Sequence, residues 1–287
     1  MKAWLICGVV MTCGVVWADQ VNKLPEVNVT AEQLEEERPV GPNQQPDWTT
    51  QRRFPTTRVY VQQPPWGVGF EQWWRGKFPR KGDSSHLFQE ELSVGLPYRL
   101  QLDIYENWEI NEQGTVRHAG IQPEVRWALA EWGKIPLNPT IYGEWKFNDE
   151  APDGYEIKIL FGEELAPRWH WGFNAIYEQE VGGERETEWA WSQAISYTLI
   201  DQKLSAGVEM KFAYVTAKGS RATPEIEFLM GPSLQWRPTP NTHLDIVPLF
   251  GVTEDSRRVD AFVVFGVDFG PGNKREQARA PVSLQSQ

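Results

Sequence analysis

The chain has 287 residues, a formal net charge of -11 and an aromatic content of 13% that includes 15 tryptophans. An acidic balance of this size argues against a nucleic-acid partner, which needs a basic face. Both cysteines, Cys7 and Cys13, lie in the first stretch, so neither a disulfide framework nor a cysteine-held metal site is expected beyond it.

Residues 1–18 open with Met1 and Lys2, continue as an apolar run and end at Ala18. This pattern predicts a secretory signal peptide, too short for a comfortable membrane-spanning helix. Residues 19–65 follow no sustained period and are rich in Gln, Glu, Pro and Thr, with an acidic run at Glu35, Glu36 and Glu37. They are expected to form a disordered or loosely held periplasmic arm, a segment suited to docking a periplasmic partner. Within the arm, residues 26–31 (Glu-Val-Asn-Val-Thr-Ala) resemble the short box by which TonB-dependent receptors engage their energising partner. The reading as a chance β-prone hexapeptide stands beside that one.

From Trp66 onward the chain alternates. Trp66, Val68, Phe70 and Trp74 share one parity, with Glu71 and Trp73 on the other, and a loop follows at 79–85. Leu92, Val94 and Leu96 lead through a tight Leu96-Pro97 turn to Leu100, Leu102 and Ile104. Further strands are predicted around Val125, Trp145, Ile157, Phe173, Phe228, Ile246 and Val263. The clearest hairpin spans 188–214. Trp189, Trp191, Ile195 and Tyr197 oppose Glu188, Ser192 and Ser196, and then Val208, Met210 and Phe212 oppose Glu209 and Lys211. Side chains on a strand alternate between faces, so each segment has one apolar and one polar face. Each has about the 9–11 residues that a tilted strand needs to cross a bilayer.

Charged or Gly-rich connections alternate with short or Pro-containing ones along this series, as an up-and-down barrel requires. The fold class expected is all-β: an antiparallel up-and-down transmembrane β-barrel of about 12 strands over 66–270, with a disordered N-terminal arm before it and a polar tail at 271–287. Its place is the cell outer membrane. Its partners are outer-membrane lipid, a small solute and a periplasmic partner of residues 19–65. A soluble secreted β-barrel binding protein shares the same period with the apolar face turned inward, and a non-conducting structural barrel is a further alternative.

The polar parity supplies the residues expected to line the pore: Glu124, Arg126, Glu144, Lys146, Glu156, Lys158, His170, Glu178, Glu188, Glu209, Lys211, Glu225 and Glu227. Acidic residues outnumber basic ones in this set, which predicts weak cation preference. Trp108, Trp127, Trp145, Trp169, Trp189, Tyr214 and Trp236 fall near strand ends, where an aromatic girdle stands at the membrane interface.

Residues 92–105 (Leu-Ser-Val-Gly-Leu-Pro-Tyr-Arg-Leu-Gln-Leu-Asp-Ile-Tyr) resemble a hairpin of the outer-membrane transporters named for the MetA pathway of phenol degradation. There an apolar-Gly-Leu turn precedes Arg and alternating Leu. The resemblance would cover roughly 87–269. It implies channel or transporter activity and hands over no catalytic residue. Outer-membrane phospholipases and deacylases need a Ser and a His placed together. His170 has no Ser two residues away, and Ser192 and Ser196 share no strand with a His, so no catalytic residue, metal or cofactor is expected.

Overall fold

A computed structural model describes residues 33–270 of the chain. The predicted signal peptide, the 26–31 box and the polar tail lie outside the described residues.

A two-stranded ribbon of β1 (Pro39–Val40) and β2 (Gln45–Pro46) comes first. Twelve long strands follow: β3 (Val68–Phe78), β4 (Ser85–Leu96), β5 (Leu100–Asn111), β6 (Val116–Ala128), β7 (Thr140–Asn148) and β8 (Gly154–Ala166), then β9 (Trp169–Glu180), β10 (Thr187–Ile200), β11 (Leu204–Thr216), β12 (Glu225–Thr239), β13 (Thr242–Gly251) and β14 (Val259–Phe269). Each pairs antiparallel with its neighbours in sequence, and β14 pairs with β3 to close the barrel. The expected twelve-strand up-and-down barrel is the observed one. Closure leaves no unpaired strand edge, which is what lets a sheet sit in lipid.

The faces fall as a membrane requires. On β5, Leu102 and Ile104 are 47% and 48% exposed, whereas Gln101 and Asp103 between them are 0% and 4% exposed. The outward row repeats around the barrel through Val125, Ile141, Ile159, Val208, Leu234, Ile246 and Phe265. Polar residues turn inward. A soluble barrel has the reverse arrangement, because there the apolar residues must fill the centre. One inward apolar patch departs from the pattern, where Trp73, Leu229, Val247, Leu249, Phe262 and Val264 pack together on β3 and β12–β14.

The barrel begins and ends at one rim, with connections 97–99, 129–139, 167–168, 201–203 and 240–241. The opposite rim carries 79–84, 112–115, 149–153, 181–186, 217–224 and 252–258. The short-turn rim of such barrels faces the periplasm. The long 129–139 connection at that rim has a separate purpose. Its Trp132 packs edge-on against Trp48 (5.8 Å) and Tyr60 (5.4 Å) from within the lumen.

The aromatic residues separate into two belts. Trp127, Trp169 and Trp236 lie near the turn rim, 44%, 42% and 49% exposed. Trp145, Trp189 and Tyr214 lie toward the loop rim, with Trp189 against Tyr177 (4.6 Å) and Trp145 stacked on Tyr155 (6.0 Å). Trp108, beside a bulge near the loop end of β5, meets His118 edge-on (5.1 Å).

The expected disorder of the arm does not extend to residues 33–65. From Gln33 the chain enters the barrel at the turn rim and packs inside it. Trp48, Phe54, Val59, Tyr60 and Val61 form a core cluster with Ala128 and Ala194 of the wall. The polar composition that reads as solvated is matched here to a polar lumen, so burial leaves these groups hydrogen-bonded.

Candidate functional site: the lumen

The inward parity of the strands divides into two tiers. In the turn-rim half, residues 33–65 occupy the lumen and take up the wall's charges. Arg52 Nε donates to Glu71 Oε2 (2.5 Å) and its Nη2 donates to both oxygens of Glu91 (3.0 and 2.8 Å). Arg53 Nη2 donates to Glu36 Oε1 (2.6 Å) within the segment and to Thr198 Oγ1 (3.0 Å), while Nη1 donates to Gln235 Oε1 (3.0 Å). Asp47 Oδ2 accepts from Arg237 Nη2 (3.1 Å). Thr56 donates through its N–H to Glu209 Oε2 (2.9 Å) and through its hydroxyl to the same oxygen (2.5 Å). Asn174 is satisfied on both sides, accepting from Arg58 N (2.8 Å) and donating to Arg58 O (2.6 Å).

Burial by itself would raise the Glu36 carboxyl, but the Arg53 guanidinium, with His170, Thr198 and Arg237, outweighs it and holds Glu36 at about 2. Burial would likewise raise the Glu37 carboxyl, but His170 and the Arg168 N–H outweigh it and lower it below its ordinary value. Burial raises the Tyr60 hydroxyl to about 12; it donates to Ala130 O (2.6 Å).

Glycines on the wall make room for this segment. At Gly162 of β8 a Cβ would overlap Val59, and at Gly95 of β4 it would overlap the backbone of Gln63 and Pro64. Cavities beside the segment measure about 10 Å³ each, room for one water at most.

In the loop-rim half the lumen opens into a cavity of about 420 Å³, floored by Pro55, Thr56 and Arg58. Its walls carry seven basic residues, Arg58, Arg75, Lys77, Lys146, Lys158, Lys211 and Arg257, against five acidic ones, Glu144, Glu156, Glu178, Glu188 and Glu227. On the β7–β11 wall the charges pair: Lys146 with Glu178 (2.6 Å), Lys158 with Glu156 (2.6 Å) and Lys211 with Glu188 (2.9 Å). On the β3–β14 wall Asp260 binds Arg75 (2.6 Å) and Arg257 (3.1 Å).

The expected pore-lining residues therefore separate. Glu144, Lys146, Glu156, Lys158, Glu178, Glu188, Lys211 and Glu227 border the cavity. Glu124 and Arg126 are sealed below it, bonded to each other, with Arg126 Nη1 donating to Gln62 Oε1 (2.7 Å). His170 stacks on Trp48 (4.6 Å), and Glu209 caps Thr56. Glu225 stands exposed at the loop rim. Those open to the cavity keep the expected acidic excess, five to three, but the complete lining reverses it, because Arg58, Arg75, Lys77 and Arg257 were not expected there. Part of the reason is β3, which runs to Phe78 instead of ending near Trp74 and so adds Arg75 and Lys77 to the inward row. Arg58 and Arg257 were missed because neither lies on an alternating strand.

One juxtaposition was also missed: Ser196 of β10 is the direct cross-strand partner of His170. Both are buried beneath the lumenal segment, 2% and 0% exposed. The His170 ring nitrogens face Arg53, Thr198 and Glu37, and no hydrogen bond joins the ring to the Ser196 hydroxyl among those described. The arrangement is not that of an activated nucleophile.

No family model matches the chain, and no curated protein matches it. Solved structures do. An outer membrane channel from Pseudomonas putida F1 is similar over 74% of this chain and 98% of its own, at 9% identity and a TM-score of 0.53. The NanC porin is similar over 71% of this chain and 100% of its own, at 14% identity and a TM-score of 0.50. At these identities the likeness is one of fold, and it does not reach the phenol-pathway family that residues 92–105 resemble. The chain is a closed twelve-strand barrel of the outer-membrane type.

Proposed function

We propose that the protein is an outer-membrane channel for small solutes, in which the loop-rim cavity receives the solute and residues 33–65 limit its passage to the periplasmic side. The observation that carries this reading is the cavity. It is water-accessible, it is lined with charge, and its volume of about 420 Å³ falls within the roughly 300–1,000 Å³ typical of small-molecule sites. A barrel with a merely structural role has no need of ten charged strand residues around an open vestibule. A twelve-strand barrel has a lumen of only modest width, and a segment packed in half of it restricts flow strongly.

The excess of basic residues around the cavity supports weak anion preference, in place of the cation preference expected from the sequence. Planar-bilayer recordings across a salt gradient test both parts. The expected result is small, discrete conductance with a reversal potential on the anion side. Complete electrical silence, with or without residues 33–65, would favour a non-conducting barrel.

A further inference from the structure

We propose that the loop-rim cavity holds a binding site for a small carboxylate-bearing solute, seated by Arg58, Arg75, Lys77 and Arg257. The inference deepens the channel reading by naming its solute class.

The first observation is an imbalance between the two walls. Across the cavity, the lysines of β7, β8 and β11 each have a glutamate within 2.9 Å. On the other wall, Arg75 and Arg257 share the single buried carboxylate of Asp260, and Glu227 lies 3.6 Å from Arg257. Lys77 lies two residues beyond Arg75 on the same inward row and lines the cavity with no ion pair to it among those described. Three cations thus meet two anions on one wall, and Arg58, 3.7 Å from the buried Glu91, adds a guanidinium at the floor.

The second observation is Arg58 itself. It belongs to the lumenal segment, and its side chain is 12% exposed. Its Nη2 donates to the Tyr105 hydroxyl (2.8 Å), but the buried Nη1 has no hydrogen-bond partner. A buried guanidinium N–H without an acceptor is costly, and a carboxylate seated on the cavity floor would relieve it once the side chain turns Nη1 outward.

The third observation concerns shape. Arg58 lies over the Trp73 ring (5.4 Å) and Arg75 over the Phe262 ring (5.0 Å). Each guanidinium therefore rests over an aromatic ring, and Arg75 is held further by Nε and Nη2 bonds to Asp260 (2.9 and 2.6 Å). Guanidinium donors held in place suit a planar carboxylate better than a spherical halide, and the rings offer contact to an apolar or ring-shaped solute body.

Titration calorimetry on the purified full-length barrel in detergent tests this with benzoate, benzamide and benzamidine, which share one planar body and carry negative, neutral and positive charge. Benzoate is expected to bind in the millimolar range or tighter, and benzamidine not at all. Lys77→Glu, a change in a water-filled cavity that does not threaten folding, should weaken benzoate at least fivefold. Lys77→Arg should restore it. Equal binding of benzamidine, tighter binding of inorganic phosphate than of benzoate, or benzoate affinity unmoved by Lys77→Glu would each overturn the proposal. Calorimetry needs no conduction. A silent barrel that still binds benzoate would therefore sink the channel reading alone, and a conducting barrel that ignores benzoate would sink the site alone.

Discussion

Two halves of one lumen, built from the same inward rows of the same strands, meet opposite fates. On β11, Glu209 is fully buried against Thr56, whereas Lys211, two residues further along, opens to water in the cavity. On β3, Glu71 is bonded to Arg52, whereas Arg75 and Lys77 line the vestibule. Strand alternation decides only that these residues face inward. What each then does is decided by whether the 33–65 segment reaches its level. Where it does, the segment supplies hydrogen bonds and ion pairs that satisfy the wall; where it does not, strands pair charge with charge and leave a basic remainder.

That comparison can be tested by displacing the segment. Thr57 is 1% exposed, and Cys7 and Cys13 are the chain's only cysteines, so Thr57→Cys gives a nearly silent thiol reporter of docking. Arg52→Ala should have the largest effect. It removes the direct guanidinium bonds to Glu71 and Glu91, leaving them only His243 and the more distant Arg58 and Arg126, and breaking a buried ion pair in this way costs up to about 3–5 kcal/mol. The reporter should then label rapidly, and continued protection would deny Arg52 its role. Gly162→Leu tests the same seat by shape alone. The new side chain collides with Val59, and overpacking of this kind costs about 1–3 kcal/mol. Labelling should rise, by less than for Arg52→Ala, while heat-modifiable gel migration shows the barrel intact.

Acid should act in the same direction, more gradually. The docked Glu36 carboxyl lies at about 2, below its ordinary value of 4.5. Its contribution to docking is therefore fully present above pH 4.5 and lost as the pH falls toward 2. Labelling, divided at each pH by that of the same thiol in the denatured protein to cancel the falling thiolate fraction, should be flat from neutrality to about pH 5 and increase below it. A rise already complete at pH 6 would point to other groups. The smallest effect expected is outside the lumen. Trp189→Ala removes the pair with Tyr177 at the loop-rim belt, worth about 1 kcal/mol beyond buried area. It should lower the barrel's unfolding midpoint slightly and leave the Thr57→Cys reporter unchanged.

The barrel was legible in the sequence because lipid on one side and water or protein on the other impose a strict period of two. Leu102, Ile104, Val125 and Ile141 could be read as outward-facing without knowing anything of their neighbours. The lumenal segment was not legible in that way. Arg52, Arg53, Asp47 and Gln62 follow no period, because their partners lie on five or more different strands. A signal was nonetheless present. Trp48, Phe54, Val59, Tyr60 and Val61 are more apolar and aromatic residues than a solvated arm carries, and they needed somewhere to pack. Inward carboxylates also outnumber inward cations at that level: Glu91, Asp103 and Glu124 share the strand residue Arg126, and Glu71 and Glu91 take Arg52 from the segment. The candidate site was half legible for the same reason: the residues on regular strands were found, and those in the segment (Arg58) and in a loop (Arg257) were not.

Conductance of the full-length protein in planar bilayers, set beside that of a variant lacking residues 33–65, is the most direct test of what blocks this lumen. Removing the segment should raise single-channel conductance several-fold, because the wall charges it covers become a hydrated path from rim to rim. Identical conductance from the two proteins would mean that the segment does not stand in the way of ions, and the two-tier account would fail.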